Sequence, residues 1–348
     1  MPIVYALPSQ HTYPFDPTQI QVDSNPSPRL IKYGFNIISE GINIMTLTAN
    51  PYYTTGLSFD FTRDDDQSIV TKASKSIGIK NLSRAIAELW EVFTVFKLGE
   101  SDKKIYTNIP KGIEIILNAQ QKLSKTKDSH QIISTSDRKS KSMTADLVIM
   151  GYSDVDLDEN AVVRLIIQDL ENVLNLQIEG SSMILQIFGL QTAIQVELIT
   201  YLATMYREVY IYRPVVANDL SQVKYLVLIN FQVDPDLSSK IEWSGKIYDG
   251  IKGKKDDLYL TSIGIRVPES FSSVIQCLNG QLLPELFAKY NSIGKYLEAK
   301  IFEGSVYREM IDNQNRHTDE WLDTFALVEP AKLLDVGLKK SAALCLWE

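Results

Sequence analysis

The segment Glu179–Phe231 constrains the fold most strongly, because strand-like and helix-like patterns alternate along it. A turn at Glu179-Gly180 precedes an apolar strand at Met183–Phe188, and a periodic helix follows over about Thr192–Tyr206. Two further strands are predicted at Val209–Tyr212, which Arg213-Pro214 ends, and at Tyr225–Phe231. Strands that alternate with helices predict a mainly parallel sheet covered on both faces. The last two strands are joined without a helix, which predicts an antiparallel pair at the sheet edge.

The preceding residues, from about Ser83, extend this α/β pattern. Ser83 is a good N-cap for a helix over Arg84–Lys97, whose apolar side chains recur at helical spacing. A second helix is predicted at Ile113–Leu123 and a short buried strand at Ala145–Met150. A long helix then begins at Asp158 or Glu159 and runs to about Leu176. We therefore assign residues 76–235 to one α/β domain.

Both flanks of this domain have a different character. Residues 1–75 read as an N-terminal arm or small β-rich extension, with β-like pieces at Gly41–Leu47 and Pro51–Phe61. Residues 236–348 read as a polar connector followed by a helical C-terminal extension. The connector is part of a turn-rich stretch, Asp234–Asp257, and the helices are predicted at Ser270–Leu278, at Leu282–Ile301 around Pro284, and at Tyr307–Phe325.

The succession of strands and helices over residues 80–232 resembles FtsJ-like (RrmJ-like) RNA ribose 2′-O-methyltransferases. Ser83-Arg84-Ala85-Ile86-Ala87-Glu88-Leu89 is similar to a Ser-Arg-Ala-x-x-Lys-Leu segment of that family, and Tyr212-Arg213-Pro214 to its Tyr-Arg/Lys-Pro strand end. Glu320-Trp321-Leu322 is reminiscent of the C-terminal helices of cap methyltransferases from large DNA viruses. The resemblance implies a Rossmann-like methyltransferase fold with a mainly parallel sheet and an antiparallel edge strand.

Four charged residues, in the order lysine, aspartate, lysine and glutamate, perform the reaction in enzymes of that family. A ribose hydroxyl is a poor nucleophile until a base removes its proton, and a lysine tuned by carboxylates can serve. The matching positions here are Glu88, Gly151, Gln186 and Val223, with Gln222 as the alternative to Val223 after a one-residue shift. All four positions have lost the expected chemistry, so no catalytic residue is expected.

The cofactor loop of the family reads Asp-Leu-x-x-x-Pro-Gly-Gly, whose glycines let the backbone approach S-adenosylmethionine. Its best match contains Pro110, Lys111 and Gly112, with a lysine in place of a glycine. We therefore expect no cofactor. An active cap 2′-O-methyltransferase that uses S-adenosylmethionine remains the alternative, and it would need Lys111, Lys224 and Asp154 to take over the reaction.

The charge distribution favours protein partners over nucleic acid. The net charge is −8, which opposes nonspecific binding to phosphates. A basic stretch is the exception; it contains Lys122, Lys125, Lys127, Arg138 and Lys139. This stretch is either a solvated surface loop or the contact of an RNA-binding module, which is the second alternative function.

Other patterns narrow the setting and the chemistry. The N-terminus lacks a signal-peptide pattern and no apolar run is long enough for a membrane helix, so we expect a protein that is not secreted and is cytoplasmic or virion-associated. The two cysteines and three scattered histidines form no zinc pattern, and no metal is expected. The sequence thus predicts a catalytically silent, methyltransferase-like scaffold or interaction subunit of a viral or RNA-capping assembly, in a hetero-complex or homo-oligomer.

Overall fold

The computed structural model describes residues 3–8, 17–23, 28–31, 44–100, 102–125, 128–137, 143–152, 159–252 and 258–326. The strands are β1 (Ile3–Ala6), β2 (Gln21–Asp23), β3 (Lys104–Thr107), β4 (Gln131–Ser134), β5 (Ala145–Met150), β6 (Gln177–Phe188), β7 (Tyr206–Arg213), β8 (Val223–Phe231) and β9 (Tyr259–Ser262). The α-helices are α1 (Ile44–Thr48), α2 (Ile69–Ser76), α3 (Arg84–Val95), α4 (Pro110–Ser124), α5 (Glu159–Leu176), α6 (Ala193–Ala203), α7 (Leu237–Ile251), α8 (Glu269–Ala299) and α9 (Gly304–Phe325). Short 3₁₀ helices occupy Pro51–Gly56 and Thr135–Asp137.

Seven strands form one mostly parallel sheet in the order β1-β7-β8-β6-β5-β3-β4. Strands β4, β3, β5 and β6 are parallel to one another, which confirms the predicted α/β class. Strand β8 lies between β6 and β7 and is antiparallel to both. The β7–β8 pair is therefore antiparallel as expected, but it does not form the edge, because β1 from the N-terminal arm pairs antiparallel with β7.

The alternation of side chains along the central strands builds a core on each face of the sheet. On one face, Val148, Met150 and Leu185 pack with residues of α5, α6, α7 and α8. On the other face, Leu147, Ile149 and Ile184 pack with residues of α2, α3, α4 and α9. The C-terminal extension thus contributes one helix to each face.

The polar connector predicted within Asp234–Asp257 is wrong over much of its length, because Leu237–Ile251 is the helix α7. Its buried positions are Lys240, Ser244, Ile247 and Ile251, which follow helical spacing. Because two of these buried positions are a lysine and a serine, the helical period is not visible in the pattern of apolar residues alone. The buried Lys240 amine donates hydrogen bonds to the Asp234 carboxylate at 2.6 Å and to the Thr204 carbonyl at 3.1 Å.

The β-like pieces expected in the N-terminal arm are also wrong where the structure describes them. Ile44–Thr48 is helical, and residues 41–43 lie outside the described residues. Pro51–Gly56 is a 3₁₀ helix that starts with proline, and the Asn50 side chain caps it by accepting from the Tyr52 N–H at 3.0 Å. In the C-terminal extension, the two helices predicted at Ser270–Leu278 and Leu282–Ile301 are one continuous helix, α8, because buried Asn279 carries its inner face across the expected break.

Candidate functional site

The carboxyl ends of β3 and β5 mark the place where the strand order reverses. The chain passes from β3 to its neighbour β4 on one side, and then to β5 on the other side of β3. Such a reversal leaves a crevice beyond the strand ends, where open α/β sheets commonly bind ligands. Here, β3 ends at Thr107, a two-residue loop follows, and α4 begins at Pro110, while Gly151 follows β5.

Asn108 bridges this crevice. Its Nδ2 donates to the Gly151 carbonyl at 2.7 Å, and its Oδ1 accepts from the Gly151 N–H at 2.9 Å. Both hydrogen-bonding groups of the side chain are therefore used to tie the loop after β3 to the loop after β5.

A cavity of about 400 Å³ lies next to this bridge, on the α3 side of the sheet. We call it the α3 cavity. Helix α3 contributes Ala85, Ile86 and Leu89. The remaining lining residues are 108–112, Gly151, Gln186 and Tyr225. Lys111 is the only charged residue among these lining residues, so the walls are mostly apolar.

Gln186 lies at the centre of the positions that the methyltransferase resemblance singles out. It is 4% exposed, and its Oε1 accepts from the Tyr152 N–H at 2.7 Å. It pairs with Tyr225 across β6 and β8, so both side chains are on the same face of the sheet. A Cβ added to Gly151 would lie 3.7 Å from Gln186 Oε1, which shows how closely the two positions approach.

Glu88 is the next member of this group. It is 4% exposed, and its carboxyl group accepts from the Tyr225 hydroxyl at 3.0 Å. Burial raises the pKa of Glu88 to about 7, against the hydrogen bond from Tyr225 and the charge of Arg84, which lower it. Glu88 itself does not line the cavity; it connects α3 to Tyr225, which does.

Lys224 and Val223 lie apart from the cavity. Lys224 pairs with Ile187 and so is on the sheet face opposite to Gln186 and Tyr225. It is 5% exposed, and its amine donates to the Gln222 carbonyl at 3.0 Å. Burial lowers the pKa of Lys224 to about 7; nearby Arg213 lowers it further, while Glu159 raises it. Val223 is buried in the same core as Tyr225 but does not line the cavity.

The structure brings together most of the residues that the resemblance indicated. Pro110, Lys111, Gly112, Gly151 and Gln186 all line the α3 cavity, and Glu88 lies behind it. The basic stretch is described only in part. Lys122, in the last turn of α4, and Lys125, just after it, are both exposed. The remaining predicted positions, Lys127, Arg138, Lys139 and Asp154, lie outside the described residues.

Sequence reasoning missed two residues that shape this site. Asn108 stands within the segment matched to the cofactor loop, but nothing in its sequence context indicates that it would bond to Gly151. Tyr225 is recognisable in the sequence only as the start of a strand, although its ring lines the cavity and its hydroxyl binds Glu88. Strand alternation is the signal that could have found Tyr225, since it puts this residue on the face of Gln186 if β6 and β8 are neighbours.

Comparison with known proteins identifies a relative but no activity. No established family profile matches the chain. Uncharacterized protein R383 of Acanthamoeba polyphaga mimivirus is 38% identical over 338 residues, which is 95% of this chain and 92% of the relative. The chain belongs to the same family as this viral protein. The similarity spans nearly the whole of both chains, so it extends over the segments that form the sheet and those that form the C-terminal helices.

The described part of the chain offers little for metal or membrane binding. It contains no group of three or more histidine, cysteine, aspartate or glutamate side chains that could hold a metal ion. None of the helices within the described ranges is long and apolar enough to cross a membrane. We argue the function from the α3 cavity because the positions matched to the methyltransferase residues lie at or beside it.

Proposed function

We propose that this chain is a methyltransferase-like domain that has lost its reaction and serves as a scaffold or interaction subunit, in a viral or RNA-capping assembly. Two features of the fold support the proposal. The strand that follows the Tyr-Arg-Pro end returns antiparallel, as the resemblance implies, although it lies between β6 and β7 and not at the sheet edge. Three of the four positions matched to catalytic residues also gather at one crevice, although they are far apart in sequence.

The observation that carries the proposal is the chemistry of these gathered positions. Gly151 has no side chain, and Gln186 Oε1 is already bonded to the Tyr152 N–H. Glu88 is buried against Tyr225 and carries the wrong charge for the lysine it replaces. A proton acceptor for a ribose hydroxyl must be within hydrogen-bond reach of the reacting atom. The chemistry and the contacts of these three positions therefore support a domain without the ribose-methylation reaction.

The active alternative requires other residues to replace the missing ones. Lys224 is unsuited, since its backbone position directs it to the opposite face of the sheet. Lys111 lines the cavity but is exposed and forms no ion pair with a described residue, so no described carboxylate positions its amine as a base.

Protein partners are favoured over RNA for the same domain. The net charge is −8, and nonspecific RNA affinity depends on clustered lysine and arginine. We extend this to the mimivirus relative only as a proposal, namely that the family supplies a non-catalytic subunit to an RNA-modifying complex of a large DNA virus.

Two experiments test the proposal. S-adenosylmethionine is titrated into the protein by calorimetry, and methyl transfer to capped RNA is assayed beside an active ribose 2′-O-methyltransferase as a positive control. We expect no heat of binding at micromolar concentrations and no transfer above background. Micromolar cofactor binding would count heavily against the scaffold role, and methyl transfer would end it. Co-elution with a capping enzyme from the same genome on size-exclusion chromatography tests the assembly directly, and separate elution would remove that part of the proposal.

A further inference from the structure

We propose that the α3 cavity binds a small apolar organic anion, such as an aromatic or branched aliphatic carboxylate. This inference goes beyond the proposed function and does not depend on it, because it uses only the walls and polar groups of the cavity. Its volume of about 400 Å³ lies within the range of roughly 300–1,000 Å³ that is usual for small-ligand sites.

The mostly apolar walls of the cavity favour a ligand with an apolar body. Ala85, Ile86 and Leu89 form one side, and Ile109 with Pro110 forms another. The ring of Tyr225 completes the enclosure, and its hydroxyl is bonded to Glu88. Pockets that bind small molecules are mostly apolar, with a few polar groups that fix orientation. The polar groups of the α3 cavity therefore determine which polar group the ligand carries.

Gln186 supplies the first of these groups. Its Oε1 accepts from the Tyr152 N–H, so the amide orientation is fixed and Nε2 is left as a donor. This Nε2 has no hydrogen-bond partner within the described part of the chain, although the residue is more than nine-tenths buried and lines the cavity. Nε2 is therefore available to donate to a ligand oxygen in the cavity.

Lys111 supplies the second group. It lies in the first turn of α4, is exposed, and forms no ion pair with any described residue. The positive end of the helix dipole adds to its charge. An anionic group at the mouth of the cavity would contact Lys111, and its second oxygen could accept from Gln186 while the apolar body enters the cavity.

A carboxylate fits these donors better than a phosphate does. Phosphate sites at helix starts depend on several free backbone N–H groups. Here Pro110 has no N–H, and the Gly112 N–H already donates to the Ile109 carbonyl at 3.1 Å. Asn108 is also committed, to Gly151. The donors that we assign to the ligand are thus the Lys111 amine and the Gln186 amide, which one carboxylate can engage together.

The test uses indole-3-acetate as the anionic probe and indole-3-acetamide as its neutral counterpart, both titrated by calorimetry and by NMR of isotope-labelled protein. We expect the carboxylate to bind at least about 10-fold more tightly than the amide, because only the carboxylate carries a charge that can pair with Lys111. Tenfold corresponds to roughly 1.4 kcal/mol. Lys111→Met should abolish this preference. Lys122→Met, on the same helix but outside the cavity, should leave it unchanged.

Two further variants assign the site. Gln186→Glu keeps an oxygen for the Tyr152 N–H but replaces the donor, so it should weaken indole-3-acetate at least 10-fold. Ala85→Phe should fill the cavity and remove binding, and its thermal midpoint checks that the protein still folds. Equal binding of both probes, or binding that survives Lys111→Met and Ala85→Phe, overturns the proposal. Binding of S-adenosylmethionine in place of the carboxylate also overturns it, whereas the methyl-transfer assay alone decides the proposed function.

Discussion

Trp321 of α9 donates its indole N–H to the buried carboxylate of Glu91 in α3, at 2.7 Å. Glu91 accepts three more hydrogen bonds, from the Tyr212 hydroxyl at 2.6 Å, the Val215 N–H at 2.7 Å and the Val216 N–H at 2.9 Å. One carboxylate therefore joins α3, the end of β7, the loop that follows β7, and the C-terminal extension. The extension is anchored to the sheet domain by a fully enclosed carboxyl group; burial raises the pKa of Glu91 to about 7, against these hydrogen bonds, which lower it.

We expect Trp321→Phe to destabilise the protein more than Trp90→Phe does. Both tryptophans are 2% exposed and lie where α3 meets α9. The Trp90 indole donates to the neutral Phe325 carbonyl, whereas the Trp321 indole donates to a carboxylate. Hydrogen bonds to charged groups contribute about 1.5–3 kcal/mol, against about 0.5–1.5 kcal/mol for neutral ones. Urea unfolding of the two variants at about pH 8, above the pKa of Glu91, measures the difference, and equal decreases in stability would contradict the prediction.

Glu88 gives the stability a dependence on pH. In the unfolded chain its carboxyl group titrates near 4.5, while burial raises the pKa in the folded protein to about 7. Between these values the folded protein holds a proton that the unfolded chain has released, so the contribution of Glu88 to stability falls as the pH rises from 4.5 to 7. Above pH 7 the fold carries the full cost of a buried charge.

We therefore expect Glu88→Gln to stabilise the protein at about pH 8 by about 1–3 kcal/mol and to have little effect near pH 4.5. The amide can still accept from the Tyr225 hydroxyl. Free energies of unfolding in urea at the two pH values are the measurement, with Glu298→Gln at an exposed helix position as the control. A decrease of stability at the higher pH would mean that the ionised carboxylate gains more from Tyr225 and Arg84 than it loses by burial.

Lys224 makes the stability depend on pH in the opposite direction, at alkaline pH. Its amine titrates near 10.5 when unfolded, and burial lowers its pKa to about 7 in the fold. Between pH 7 and 10.5 the unfolded chain holds the additional proton, so the contribution of Lys224 to stability rises with pH through this window. Lys224→Met should stabilise the protein by about 1–3 kcal/mol at about pH 6.5, and the gain should vanish near pH 10.5. Urea unfolding across this range tests it beside the exposed Lys80→Met, and a constant difference would contradict it.

The elements with clear periodicity were predictable from the sequence. The strand Ala145–Met150 and the helix Glu159–Leu176 were predicted within a residue, and Ser83 caps α3 as expected, since its Oγ accepts from the Ile86 N–H at 3.3 Å. Helix α7 was missed because a buried lysine, bonded to Asp234 and to Thr204, occupies its inner face. Apolar patterning does not register a lysine whose charge is compensated by residues outside its own helix.

The candidate site was predictable only in outline. The positions Gly151 and Gln186 came from resemblance, and parallel strand order brings them to one edge of the sheet. The Asn108–Gly151 bridge and the Glu88–Tyr225 contact join residues 43 and 137 positions apart in the chain. Such pairs depend on the register between strands and on the packing of α3, which one sequence read alone does not specify.

Two glycines near the crevice should respond in opposite ways to alanine. Gly189 has φ +74°, and an added Cβ would lie 2.1 Å from Glu159 Oε1, so Gly189→Ala should cost at least about 2 kcal/mol. Gly112 has no atom within 4 Å of an added Cβ and lies in the first turn of α4. Gly112→Ala should therefore be neutral or stabilising by up to about 1 kcal/mol. Urea unfolding midpoints of the two variants test both expectations. A clear loss of stability in Gly112→Ala would contradict the second one.

The basic stretch provides a direct test of RNA binding. Lys122 and Lys125 are exposed on the same end of α4, and Lys127, Arg138 and Lys139 follow in sequence. If these residues bind the phosphates of single-stranded RNA, neutralising them lowers the affinity. It also makes the slope of log affinity against log salt shallower, by about 0.7 for each phosphate that is no longer neutralised. With a net charge of −8 and a scaffold role, we expect neither change.

Fluorescence anisotropy with a labelled single-stranded RNA measures both quantities. The variant carries glutamine at all of the basic positions Lys122, Lys125, Lys127, Arg138 and Lys139, and the control carries Lys80→Gln and Lys295→Gln at exposed positions elsewhere. The control separates an effect of the basic stretch from a general change in net charge, because it removes positive charge outside that stretch. A selective decrease of affinity and slope in the basic-stretch variant would establish RNA as a partner and contradict our preference for proteins.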